Sequence, residues 1–297
     1  MTTEGLAVEV QHADRLCYAM QQSAVPWLHA VTLRNEGAEP LAELVVKIGL
    51  EGFSGRVECR VDALPAGASL QLDAPDLPLR ADAFAGLLER TRALLQVTVT
   101  GRGGASAQRA SAVDVLAYNE WPGLAVLPPL LAAFVTPNHP ALGPLLRDAA
   151  TQLQAATGDG ALDGYQRGDP ARVGAIVDAV HVAIAARGVR YVSPPPSFEE
   201  VGQKVRLPEQ VVGERLGTCL DLCLLYAAVF EHVGLEPFLV LQRGHALVGC
   251  WIEPEARAGA RVDSALELRK AVAAGVAVAL EATVACVAPP QPPSRAA

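Results

Sequence analysis

The chain has no apolar run approaching the ~18 residues that a membrane-spanning helix needs, and residues 1–30 lack a basic start followed by an apolar core. Neither a membrane span nor a secretory signal is expected, and a cytoplasmic location follows as the default. No G-x-x-x-x-G-K-[ST] phosphate loop occurs anywhere, so no nucleotide-driven motor is expected. Positive charge is also in short supply. Against 32 Asp and Glu stand 24 Lys and Arg, and the formal net charge of −8 argues against a nucleic-acid-binding surface. Cysteine is sparse: Cys17, Cys59, Cys219, Cys223, Cys250 and Cys286 are spread over 297 residues without secretory features, which reads as free thiols rather than a disulfide framework.

What is present is an ordinary globular composition, 51% hydrophobic and 19% charged, in a chain long enough for two domains. From Leu6 to about Tyr118, strand-like runs (Leu6–Val10, Leu28–Arg34, Leu41–Leu50, Gly55–Val61, Ser69–Leu72, Leu94–Thr100, Ser106–Ala117) alternate with turn residues. In the third run Leu44, Val46, Ile48 and Leu50 form one apolar face. Strands at this spacing predict an immunoglobulin-like β-sandwich over residues 1–118, with a short helix at Ala83–Thr91. It carries no catalytic constellation: His12 and His29 are isolated, and Cys17 and Cys59 read as core or edge residues.

The pattern breaks at Tyr118–Gly123 and becomes helical over Leu124–Phe134 and Pro140–Thr157, with His139 in the turn between them. Asp169 caps a third helix with Pro170 in its first turn, and Val173, Ile176, Val177, Val180 and Ile184 form its buried stripe, with His181 beside it as a surface or edge residue. Pro194-Pro195-Pro196 is a stiff spacer, Ser197-x-x-Glu200 has the form of a capping box, and Pro208 opens another short helix. Ser264-x-x-Glu267 caps a helix to about Ala274, and residues 289–297 read as a Pro-rich tail or linker, as if the chain continued or had been cut from something longer.

The chemistry concentrates between Glu214 and Ile252. Gly217-Thr218-Cys219 followed by a long apolar run reads as a helix start with Cys219 in its first turn, where free N–H groups and the helix dipole favour a thiolate. The helix is apolar nearly all round, hence buried, and Gly234 closes it. Asp221, two residues after the thiol, reads as a first-turn carboxylate bonding local N–H groups. Phe238–Gln242 and His245–Ile252 then read as a hairpin turned at Gly244, with His245, Leu247, Gly249 and Trp251 on one face. A strand packed on that helix brings His245 to Cys219 as the base a thiol nucleophile needs. Glu281, alone among carboxylates in the apolar run Val276–Val284, is the candidate to orient the imidazole. Gln166 or Gln203 could supply a side-chain donor to an oxyanion, and Trp251 could shield the imidazole. Cys219, Cys223, His245 and Cys250 do not make a zinc set, since His245 and Cys250, five apart on a strand, point to opposite faces.

A cysteine at a helix start, a histidine on the next strand and an acid on the strand after that resemble the transglutaminase-like (papain-like) superfamily. Glu281-Ala282-Thr283 stands where the family usually has Asp-Pro-Thr, so the acid is one methylene longer. More narrowly, Phe198–Glu209 with Gly217–Asp221, together with Phe134–Pro140 and Asp163–Gln166, is similar to the transglutaminase-like region of large bacterial helicase-related proteins, over residues 118–286. The resemblance implies an α+β domain with an antiparallel sheet over residues 119–288. It also implies a Cys219-His245-Glu281 site acting on protein or peptide amides through a thioester, with no cofactor and no metal, and a helicase-related or other protein as partner. Two functions stay open: a cysteine hydrolase or acyltransferase, and an inactive module of the same fold that binds a partner.

Overall fold

In the computed structural model, residues 5–73, 75–124, 126, 128–257, 259, 261, 264–289 and 291–293 are described. The chain forms two compact units, Met1–Pro122 and Gly123–Ala297. It is of mixed α+β type, and most of its strand pairs are antiparallel.

The first unit holds β1 (Leu6–His12), β2 (Arg15–Leu16), α1 (Tyr18–Gln22), β3 (Leu28–Asn35), β4 (Leu41–Leu50), β5 (Arg56–Leu64), β6 (Ser69–Asp73), α2 (Ala81–Ala85), β7 (Thr91–Thr100), β8 (Ser106–Val115) and the two-residue β9 (Glu120–Trp121). Its strands form a three-stranded sheet, β1-β3-β6, and a five-stranded one, β2-β8-β7-β4-β5. Period-two patterning sets which face goes in. Leu44, Val46, Ile48 and Leu50 of β4 are buried together with Leu95, Val97 and Val99 of β7, while Val31 and Leu33 supply the core side of the smaller sheet. The helix expected at Ala83–Thr91 is shorter and earlier, Ala81–Ala85, because Gly86 ends it and Thr91 already pairs with Val115 in the sheet.

The second unit opens with a 3₁₀ turn over Pro128–Phe134 where a longer helix was expected; two successive prolines remove the N–H groups that an α-helical start would use. Then follow α3 (Leu142–Thr157), α4 (Pro170–Ala185), β10 (Arg190–Tyr191), α5 (Phe198–Val201), the two-residue β11 (Gln203–Lys204), α6 (Pro208–Glu214), β12 (Leu216–Gly217), α7 (Cys219–His232), β13 (Pro237–Gln242), β14 (His245–Trp251), α8 (Ala265–Ala273) and β15 (Ala277–Leu280). Asp169 caps α4 by accepting from the Ala171 N–H at 2.9 Å, with Pro170 in the first turn, and Ser264 caps α8 from Glu267 N–H. The capping box expected at Ser197 does not form. Ser197 sits in the left-handed region (φ 54°, ψ 34°) and its side chain caps nothing.

Helix α7 is the centre of this unit. Every residue from Cys219 to Phe230 is buried, and the helix packs on β13 and β14 on one side and on α4 and a 3₁₀ turn over Ala282–Cys286 on another. Burying each of its Leu, Val and Phe side chains contributes about 2 kcal/mol before chain entropy is counted. The antiparallel sheet β13-β14-β15 pairs Gln242 with His245 across the Arg243-Gly244 tip, where Gly244 takes φ +71°. Gly249 is fixed by space instead. A Cβ there would stand 2.2 Å from the Val278 carbonyl oxygen and 2.3 Å from the Phe238 ring.

His181, expected at a surface or edge, is buried to 1% exposure. Its Nδ1 lies 2.7 Å from the Tyr226 hydroxyl and its Nε2 2.9 Å from the Gln291 carbonyl oxygen. A carbonyl only accepts, so Nε2 carries the proton and Nδ1 accepts from Tyr226. The bond ties the Pro-rich segment to α4 at Gln291; residues 290 and 294–297 of that segment lie outside the described residues.

Candidate active site

Three local devices fix the start of α7. Thr218 takes an extended conformation (φ −81°, ψ 172°) and accepts from the Asp221 N–H at 3.2 Å, while Asp221 accepts from the Thr218 N–H at 2.9 Å, a reciprocal capping box. Asp221, with 0% exposure, also accepts from the Arg206 N–H at 2.8 Å and from the Arg206 guanidinium at 3.2 Å. The buried carboxylate is therefore fully partnered, and it holds the turn that aims Cys219. Gln203 adds a 3.1 Å bond from its amide to the Thr218 hydroxyl, so its side chain serves the cap one residue from the thiol.

The Leu220 and Ala246 N–H groups and the Tyr191 hydroxyl lie around the Cys219 thiol and favour its ionised form, with the Glu281 carboxylate nearby. Burial is the largest influence and pushes the thiol above its ordinary value; the three donor groups pull the other way and do not outweigh it, and Glu281 adds to the rise. The low-pKa thiol expected from the helix start is thus corrected: the residue has 0% exposure, and desolvation exceeds the benefit of the helix terminus. The neighbouring Cys223, deeper in the helix, is raised far more by burial.

His245 follows the hairpin tip, next to the Ala246 whose N–H meets the sulfur. Its Nε2 lies 2.7 Å from Glu281 Oε2, and both side chains keep partial access to solvent, 31% and 27%. Glu281 differs from expectation in its position. The strand β15 ends at Leu280, and Glu281 caps the following 3₁₀ turn, its Oε1 accepting from the Thr283 N–H at 3.0 Å and the Thr283 hydroxyl at 2.6 Å. Burial raises its carboxyl, but the bonds from Thr283 and His245 outweigh that and hold it below the usual range. An ionised carboxylate can only accept, so Nε2 carries a proton, and in the neutral ring Nδ1 then holds the lone pair that can take a proton from a thiol.

Tyr191 is the member that sequence reasoning missed. Parallel pairing of β10 with β12 sets Tyr191 beside Gly217, two residues before the thiol, and the phenol is raised by burial first and then by the neighbouring sulfur. Its only local signal is an aromatic in the short run Val189–Val192; nothing nearby in sequence announces a partner so far along the chain. Gln166 lies in an exposed turn. The adjacent Tyr165 hydroxyl donates to the Trp251 carbonyl at 2.6 Å, at the opposite end of β14 from His245. Six residues along a strand is about 20 Å, so neither Gln166 nor Trp251 reaches the imidazole. Trp251 packs on Phe238 instead, ring centroids 5.6 Å apart. No group of three or more His, Cys, Asp or Glu that could hold a metal occurs among the described residues, and no described helix is long and apolar enough to cross a membrane.

Compared with known proteins, the chain matches no family model and no curated protein.

Proposed function

We propose that the protein is a cysteine-dependent hydrolase or acyltransferase of transglutaminase-like type, acting on peptide or isopeptide amides. The observation that carries this reading is the 2.7 Å His245–Glu281 pair on the strand whose next residue, Ala246, brings its N–H near the helix-start thiol of Cys219. In the reaction the Cys219 proton passes to His245 Nδ1 and the thiolate adds to the amide carbonyl. The Cys219 N–H donates to the oxyanion, a contribution of about 3 kcal/mol per donor in known enzymes. The C–N bond then breaks, His245 returns the proton to the leaving amine, and a thioester remains on Cys219. Water, or an acceptor amine, adds to the thioester with its proton going to His245, and the thiol is regenerated. Glu281 holds the imidazole tautomer throughout. The immunoglobulin-like reading of the first unit, a protein substrate, a helicase-related partner and a cytoplasmic location belong to the same proposal.

A second reading, an inactive partner-binding module, is favoured by the complete burial and raised pKa of the Cys219 thiol. Incubation with p-nitrophenyl acetate and intact-mass analysis decides between them. The hydrolase reading expects a burst of nitrophenol and an acetyl adduct on Cys219 that Cys219→Ala and His245→Ala both lose; absence of any adduct on Cys219 in the unaltered chain leaves the module reading standing.

A further inference from the structure

His181 is buried to 1% exposure, yet one nitrogen of its ring faces a segment at the surface. Burial raises the Tyr226 phenol well above its ordinary value, so the hydroxyl keeps its proton and gives it to His181 Nδ1 at 2.7 Å. The two rings stack with centroids 6.1 Å apart and Tyr226 meets Phe230 at 5.9 Å, a row of three rings that leads from α4 into the buried face of α7. With Nδ1 committed inward, Nε2–H is a donor fixed in direction, and its acceptor is the carbonyl oxygen of Gln291, a residue that is itself exposed. A buried N–H is costly when left without an acceptor, so this place on α4 calls for a carbonyl. We infer that His181 and Tyr226 form a recognition site for an extended proline-rich segment, and that the chain's own Pro-rich segment, held at Gln291, is its resident ligand: a docked strap and not a free linker.

The chemistry of the segment suits the site. In Pro289-Pro290-Gln291-Pro292-Pro293 every residue has a backbone carbonyl, but Gln291 alone has a backbone N–H. Such a run accepts hydrogen bonds far more than it gives them, and its prolines are already restricted to extended backbone, so little freedom is lost on docking. A single fixed donor backed by stacked rings is the complement of that chemistry. The route is set by the fold. The 3₁₀ turn over Ala282–Cys286 packs on both α4 and α7, so the chain leaves it beside the helix that carries His181. Gln291 lies ten positions after Glu281, and one bond therefore fastens the chain beyond the turn that presents that carboxylate. None of this requires Cys219 to be a nucleophile.

Carbethoxylation of His181 in the full chain by diethyl pyrocarbonate, followed by peptide mass spectrometry, reads whether the segment covers the ring. His29, exposed on β3, reports the strength of the reagent, and iodoacetamide labelling of the fully buried Cys223 and Cys250 reveals a variant that has opened. The combined variant Pro289→Gly, Pro292→Gly and Pro293→Gly keeps every carbonyl and frees the backbone. It should raise the His181 rate several-fold with the His29 rate unchanged. The peptide Ala-Pro-Pro-Gln-Pro-Pro-Ser, added to that variant at millimolar concentration, should restore protection, whereas the peptide with Gly at the same three positions should not. From the other side, His181→Phe keeps a ring and removes the donor, and should lower the order parameter of the Gln291 amide, read by nitrogen relaxation, toward that of a free tail. Equal His181 rates in the unaltered and Gly-substituted proteins overturn the inference. So does a proline peptide that protects no better than its Gly counterpart, or a Gln291 order parameter unmoved by His181→Phe.

Discussion

His245 and Glu281 meet at 2.7 Å although Glu281 lies one residue past the end of its strand, on a turn that its own carboxylate caps. One oxygen of the carboxylate is committed to Thr283 and the other to the imidazole. Replacing Glu281 by Gln keeps the size and removes the charge, and an amide that presents its NH₂ group to Nε2 favours the wrong tautomer. We expect the p-nitrophenyl acetate burst rate to fall by about 10²–10⁴-fold with little change in melting temperature. A fall under threefold would show that the imidazole needs no orienting acid.

The lowered carboxyl of Glu281 has a pH consequence whose sign is fixed. A carboxyl depressed on folding contributes stability above its unfolded value, near 4.5, and loses that contribution as pH falls through the lower folded value. The His245–Glu281 bond should therefore persist at pH 5, and its loss should begin only below about 4.5. The imidazole Nε2–H resonance, followed by NMR in acid, checks this; disappearance already at pH 5.5 contradicts it.

Asp221 is a second carboxylate with a different duty. It is fully buried and bonded to Thr218 and Arg206, and removing it leaves the buried Thr218 N–H without its acceptor, while Arg206 keeps Glu214 and solvent. Asp221→Ala should cost about 1–3 kcal/mol in urea unfolding. It should also slow acylation of Cys219 in the fraction that remains folded, because the turn that aims the thiol loses its reciprocal cap. A loss below 1 kcal/mol means that the cap is dispensable.

The buried thiols predict alkaline weakness. Burial raises Cys250 from 9.0 to about 12 and Cys223 well above 9.0. Groups raised on folding give up stability as pH climbs from the unfolded value toward the folded one, here from pH 9 upward. At pH 10 Cys250 alone costs on the order of 1 kcal/mol relative to pH 8, and Cys223 acts in the same direction. The urea midpoint should drop between those pH values, and Cys250→Ala should shrink the drop. A midpoint independent of pH in this window is the contrary result.

How far the sequence speaks depends on how local each signal is. The cap at Thr218, the all-round apolar helix after it, the hairpin turned at Gly244 and the alternating β4 are decided by residues within a few positions of one another, and the elements lie where those residues predict. The His245–Glu281 pairing was readable from chemistry, since a lone carboxylate in an apolar run needs a partner. Its position was not, because whether Glu281 extends β15 or caps a turn depends on Thr283 bonding back to it. Tyr191 beside Cys219 and His181 on Tyr226 join segments far apart in sequence through pairings that leave no periodic trace. The raised thiol had the same origin: a helix start is a local fact, whereas burial of its first residue depends on what the rest of the chain lays over it.

The separation of these groups along the chain also sets an order in time. Glu281 lies 62 positions after Cys219. At ~5–20 residues per second, translation leaves a gap of about 3–12 s between them. His245, 26 positions after Cys219, is made within that interval and waits for its acid until Glu281 follows, whereas Tyr191, 28 positions before Cys219, is already made. The polypeptide therefore emerges with Tyr191 made first and Glu281 last, so the His245–Glu281 pair is complete only once the chain has been made through Glu281.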